Sequence, residues 1–136
     1  MSDVTAFLRA RLDDDEKAAN ESGGTAWHWA SRPSVLGGTE FDGLHNSEHE
    51  LILWADSQDE CELDFLGDVD VHIARHDPAR VLREVSAKRG VIREMEAART
   101  NLEERGINVP FFITWTLWHL AAVYSDHPDY QKEWEL

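Results

Sequence analysis

Hydrophobic positions along the chain fall into three helical stretches separated by a middle that alternates. Val4, Phe7, Leu8 and Leu12 recur at spacings that share one face, which predicts a first helix over 2–20. Ser2 or Asp3 can cap it and Gly23-Gly24 ends it. Leu82, Val85, Ile92, Met95 and Leu102 repeat the pattern and predict a second helix over 78–104. At about 1.5 Å per residue such a helix is roughly 40 Å long. Phe111, Phe112, Ile113, Trp115, Leu117, Trp118, Leu120 and Val123 leave little polar face over 110–125. That third helix is expected at the centre of the core, with His119 as a hydrogen-bonded core histidine. In the middle of the chain the period drops to two. Trp27-His28-Trp29 alternates as a half-buried strand does, and Glu50 to Ala55 is an apolar run of strand length. Ser31-Arg32-Pro33-Ser34 and Gly37-Gly38 are turn signals. The pattern as a whole predicts an α+β fold. Three long helices pack with a small antiparallel β-sheet, of two to four strands, formed by the middle of the chain. A length of 136 residues is one domain on the usual prior, 1–136.

The sharpest boundary is Asp77-Pro78. A residue before proline is pushed out of the helical region, and an aspartate there can accept a hydrogen bond from the free amides of the next turn. Proline suits the first helical position because its missing N–H would have no helical partner. Gly106 stands just past the last turn, where a left-handed residue ends helices. His72 and His76 lie immediately upstream. At i and i+4 on a short helix they share a face, which is metal-ligand spacing. The plainer account places His76 at a helix C-terminus, where the dipole favours it, and leaves His72 packed or in water.

Composition narrows the range of roles. Hydrophobic residues make up 42% of the chain and there are six tryptophans, which is not a disordered composition. One cysteine, Cys61, excludes an internal disulfide and fits a reducing cytoplasm, and Glu60 and Glu62 beside it oppose a reactive thiolate. The acidic, polar N-terminus carries no signal-peptide pattern. The most apolar run, Val109 to Tyr124, is 16 residues, short of the roughly 20 that a membrane span needs. The net charge is −14, and it is segregated. Residues 33–74 hold 11 acids and no Lys or Arg, while residues 75–105 hold eight of the 13 basic residues against six acids. Direct nucleic-acid binding is disfavoured, because its affinity comes from cations displacing counterions on phosphates. The basic helix is expected to pair with this chain's own acids, with an acidic partner as the alternative.

Two longer stretches join the boundary. Phe7-Leu8-Arg9-Ala10-Arg11-Leu12-Asp13-Asp14-Asp15-Glu16 opens the chain. Tyr124-Ser125-Asp126-His127-Pro128-Asp129-Tyr130 with Glu133-Trp134 closes it. With His72 to Val85 and Ala87-Lys88-Arg89, these resemble a family of small uncharacterised proteins from actinobacteria and their phages. The resemblance covers both ends and the central helix, with residues 22–70 as a variable middle. It implies no activity, and it marks His72, His76, Asp77, Pro78, Asp126, His127 and Pro128 as matching the family's pattern.

Catalytic motifs are few. The chain has no glycine-rich phosphate loop and no Gly-x-Ser-x-Gly elbow. His45-Asn46-Ser47-Glu48-His49 spells the His-x-x-Glu-His of inverted zinc proteases. That chemistry needs a helix, and here the residues lead into a strand, so a chance match is expected. The constellation with chemical sense joins His72 and His76 to His127 and Asp126. If the second and third helices run antiparallel, their proline-marked ends meet. Three histidines with an open position would make a zinc site. The plainer account is a polar latch of Asp77, Pro78, Tyr124 and Pro128 with those histidines capping helix ends. Two functional readings follow. The first is a small acidic cytoplasmic protein acting as a non-enzymatic accessory module that binds another protein, of the host-factor-blocking or DNA-mimicking type if phage-encoded, with no cofactor expected. The alternative is a zinc-dependent hydrolase using His72, His76 and His127. A homodimer is compatible with the first, since surplus tryptophan is available for an interface.

Overall fold

The structure, a computed structural model, describes residues 2–33, 40–54 and 67–136. Cys61, Gly37-Gly38 and the acid-rich 56–64 lie outside the described residues. The chain folds as α1 (Ser2–Glu21), β1 (His28–Pro33), β2 (Glu40–His45), β3 (Leu51–Trp54), α2 (Val69–Arg75), α3 (Pro78–Glu104) and α4 (Phe111–Ala121), followed by two short 3-10 turns. Its residues group into two compact units. One comprises residues 1–17 with 83–136, the other residues 18–82.

The first unit is built on α1. Val4, Leu8 and Leu12 form a stripe at i, i+4, i+8 that is buried almost completely. Val85 and Ile92 of α3, and Ile113, Leu117 and Ala121 of α4, complete this core. Ion pairs fix the direction of packing. Arg9 pairs with Glu96, and Arg89 reaches both Asp13 (2.6 Å) and Glu16 (2.8 Å), so α1 and α3 run antiparallel. Of the basic residues of α3, Arg89 pairs with acids of α1 and Arg99 lies 3.9 Å from Glu103 of its own helix. The tail closes the other side: Trp134 is buried, with its ring 5.1 Å from Phe7.

The α4 helix departs from the expected picture. It buries only Ile113, Leu117 and Ala121, a single i, i+4, i+8 stripe, and leaves Phe111, Phe112, Trp115 and His119 exposed. It is therefore a covering helix with one buried stripe, and His119 is a surface residue. The reason is geometric: a helix covered on one side buries only the stripe that faces its neighbours, whatever its composition. The helix also gives way at Ala122 to a 3-10 turn over Ala122–Tyr124, four residues before Pro128.

The second unit is a three-stranded antiparallel meander in the order β1-β2-β3, with α2 beside it. Across β1 and β2, His28 stands opposite His45 and Trp29 opposite Leu44. A bulge between Leu44 and His45 shifts the pairing with β3, so that Leu44 faces Leu53 and His45 faces Leu51. Gly43 leaves room for the end of the Leu51 side chain, which would have to shift if position 43 carried a Cβ. Trp29 ties α2 to the sheet by donating its indole N–H to the Asp70 carbonyl (2.7 Å).

Helix ends follow local chemistry. Gly106, at φ +66, closes α3 with the paired bonds of a Schellman motif, Ile107 N–H to Leu102 carbonyl (2.8 Å) and Gly106 N–H to Glu103 carbonyl (3.0 Å). Asp77 caps α3, accepting the Arg80 amide at 2.7 Å, and its other oxygen accepts the Trp27 amide at 3.3 Å. Urea unfolding should separate these contributions. Leu12→Ala is expected to cost about 2–5 kcal/mol, and Asp77→Ala about 1 kcal/mol or more through the lost cap. Val91→Ala, on an exposed part of α3, should stay within about 0.5 kcal/mol.

Candidate functional site

Three groups of side chains stand out, two of them built from the residues that the sequence singled out. The first lies in the unit built on α1. Successive turns of α1 present Phe7, Arg11 and Asp15 on one side, and the C-terminal segment runs past them in the opposite direction. Tyr124 donates its hydroxyl to the Asp15 carboxylate at 2.6 Å. Arg11 Nη1 lies 2.9 Å from Nδ1 and 2.6 Å from Nε2 of His127. The Asp129 amide donates to His127 Nδ1 at 3.1 Å. The His127 ring packs edge-on against Phe7, 5.7 Å between centroids, and Tyr130 and Trp134 follow on the same phenyl ring at 6.2 and 5.1 Å. Arg11 also pairs with Asp14 at 2.9 Å. A guanidinium against the edge of His127 is a poor environment for a metal cation at that ring. Asp126, next in the chain, is exposed.

Burial and the bond to Asp15, in that order, push the Tyr124 phenol well above its ordinary range. Both raise it because they favour the neutral hydroxyl over a phenolate. Lys88 of α3 rests over the same ring, 5.7 Å from its centroid. Nearby, the hydrogen bond from Arg89 holds the Glu16 carboxyl below its ordinary range, and the same pairing raises Arg89.

The second group belongs to the unit of the sheet. His72 and His76 share a face of α2 as their spacing required, with rings stacked 4.2 Å apart. His76 is the C-cap residue, and its Nδ1 lies 2.9 Å from the His72 carbonyl. Asp77 and Pro78 are buried at the start of α3, and both Asp77 oxygens are engaged within this unit. The His76 and Asp77 side chains are thus used locally to finish helices. Among the described residues, no group of three or more His, Cys, Asp or Glu side chains is placed to hold a metal ion.

The third group was expected in the core and lies on the surface. Phe111 is 72% exposed, Phe112 56%, Trp115 50% and Val123 63%. Phe111 and Trp115 stack one turn apart, 5.8 Å between ring centroids. Ile107 adds to the exposed apolar set. Aromatic composition alone reads as burial, so nothing local distinguished these side chains from Ile113 and Leu117. Arg11 and Asp15 were also missed as partners of His127 and Tyr124, because more than a hundred residues separate them in the chain.

Long helices with a small antiparallel meander define an α+β protein of mainly helical content. Within that class the chain belongs to the Family of unknown function (DUF6221), whose model matches residues 1–136. No curated protein and no solved structure matches it. No helix among the described residues is long and apolar enough to cross a membrane.

The Tyr124–Asp15 contact has a measurable pH signature. A phenol raised in the folded state contributes stability that is complete below the unfolded value of about 10. That contribution is lost as pH rises from there through the raised folded value. Absorbance titration should show one of the two tyrosines ionising late, together with alkaline unfolding. Tyr124→Phe should abolish that late step; its persistence in the variant would assign it elsewhere.

Proposed function

We propose that this chain is a non-enzymatic accessory module that binds another protein through the exposed face of α4. The observation that carries the reading is the contiguous aromatic surface of Phe111, Phe112 and Trp115, held on a helix whose opposite stripe is locked into the core. Exposed aromatic clusters on rigid elements are the usual anchors of protein interfaces, where water exclusion around Trp and Phe supplies most of the affinity. The face bears no charge: residues 106–125 contain no Asp, Glu, Lys or Arg. The tail that follows holds Asp126, Asp129, Glu133 and Glu135 against Lys132. A complementary partner therefore has an apolar groove with a basic rim. A second copy is the poorer match, because it would bring like charge to like charge in a chain of net −14.

Two measurements on the whole chain test this. Sedimentation at rising concentration should show a monomer. A partner captured from a lysate of the source cells should be lost to Phe111→Ala with Trp115→Ala and weakened at high salt, while Val91→Ala retains it. Each aromatic truncation should cost about 2 kcal/mol or more, roughly thirtyfold in Kd. Undiminished capture by the double variant would refute the docking face, and self-association through α4 would replace the foreign partner with a second copy.

A further inference from the structure

The exposed face of α4 carries one side chain of the type that changes charge near neutral pH, His119. We propose that His119 gates docking on this face by pH: the partner is held while the imidazole is neutral and released when it is protonated. The inference rests on the reading of α4 as a protein-docking face and adds the regulation of that face. Phe111, Trp115 and His119 follow one another at i, i+4 and i+8, so they form a single row along the outside of the helix. All three are exposed, and so is Phe112 beside them. Phe111 and Trp115 stack with their rings 5.8 Å apart, and His119 continues the row. Four residues of helix advance about 6 Å, so a partner that covers Trp115 reaches His119 as well.

The surroundings of His119 do not change charge with it. Residues 106–125 contain no Asp, Glu, Lys or Arg, so their titratable side chains are His119 and Tyr124. Tyr124 is engaged with the body, its hydroxyl given to Asp15 of α1 and its ring under Lys88 of α3. Thr116 returns its hydroxyl to the Phe112 carbonyl of its own helix at 2.8 Å. The core meets α4 along the other stripe, through Ile113, Leu117 and Ala121. In the chain, the nearest charged residues are Arg105 and Asp126, both beyond the ends of α4. The acids Asp126, Asp129, Glu133 and Glu135 and the single Lys132 follow in the tail. His119 itself is exposed, so water solvates either form of its ring in the free chain.

Docking removes that water. A partner that excludes solvent from the aromatic row excludes it from the imidazole too. A neutral imidazole brings one N–H donor into an apolar contact, whereas an imidazolium brings a net charge and two donors. Burial disfavours the charged form, and the basic rim that complements the acidic tail repels it. The free chain accommodates both forms and the complex selects the neutral one, so binding and proton release are linked. The sign follows. Affinity is complete above the range in which a histidine titrates and falls as pH drops through it, by at most about tenfold per pH unit for one proton. Phe111 and Trp115 supply the attraction at any pH; His119 decides when it is available.

The probe is the protein that the intact chain retains from a lysate of the source cells and that the Phe111→Ala, Trp115→Ala variant does not. Once purified, its Kd is measured at about pH 7.5 and about pH 5.5, on either side of the histidine range. The wild-type chain should bind it roughly tenfold more weakly at the lower pH. In His119→Gln the ratio of the two Kd values should fall close to one, whatever the affinity at the higher pH. His119→Lys, charged throughout, should be weak at both. Position 119 is exposed, so none of these changes needs to disturb folding, and circular dichroism at both pH values checks this. Equal wild-type affinity at the two pH values overturns the gate and leaves the docking face standing. So does a pH dependence that persists in His119→Gln. His119→Leu is a second neutral variant; failure of both to bind at the higher pH would make the imidazole an obligatory contact and overturn the gate. If no retained protein depends on Phe111 and Trp115, the docking face fails and the gate falls with it.

Discussion

The unit that holds most of the helical structure depends on one helix having two useful sides. Val4, Leu8 and Leu12 of α1 sit in the core at almost zero exposure, and each fully buried aliphatic side chain contributes about 1.5–3 kcal/mol by leaving water. Phe7, Arg11 and Asp15, on the neighbouring side, hold the C-terminal segment through Trp134, His127 and Tyr124. Without the tail, Phe7 and the Arg11 guanidinium would face solvent. Without α1, Trp134 would lose the Phe7 ring. The two ends of the chain are therefore one structural element in energetic terms, although they are the furthest apart in sequence.

Charge acts on a smaller scale than the net value suggests. The −14 of the whole chain is uneven, and the fold uses the unevenness. Arg89 on α3 gathers Asp13 and Glu16 of α1, turning a solvated acidic run into a contact that sets the antiparallel direction of the two helices. These pairs are part-exposed, so each is worth little by itself, and their role is to specify register more than to stabilise. The uncharged stretch 106–125 is the exception, and among the described helices it leaves α4 as the one whose outward side can be desolvated without removing a charge of its own from water.

Much of the candidate chemistry was legible only in part, and the division follows range. Asp77 as a cap, Pro78 at the first helical position, Gly106 at the end of α3 and the shared face of His72 and His76 are local rules, each decided within about four residues. His127 and Tyr124 were recognisable as polar groups near a helix end, but their partners Arg11 and Asp15 carried no local mark. The one hint was that the likeness to the family touched both terminal stretches, 7–16 and 124–134. The His45-to-His49 pattern read as a chance match to a helical protease motif, and its residues do occupy a strand end and a turn. What the pattern could not convey was that His28 is the cross-strand neighbour of His45.

By itself the sequence determined the α+β class, the bounds of α3, the alternation that makes the middle a sheet, and the caps of α3. All of these depend on periodicity and on backbone restrictions that act between near neighbours. Only the tertiary structure decided which aromatic residues are covered. Ile113 and Phe112 are equally apolar to any sequence rule, yet one is fully buried and the other more than half exposed. Burial is a property of the surface that a side chain meets, and that surface is assembled from segments the local pattern cannot bring together. For the same reason the pairing of Arg11 with His127 and the placing of His28 opposite His45 appear only once strands and helices are placed.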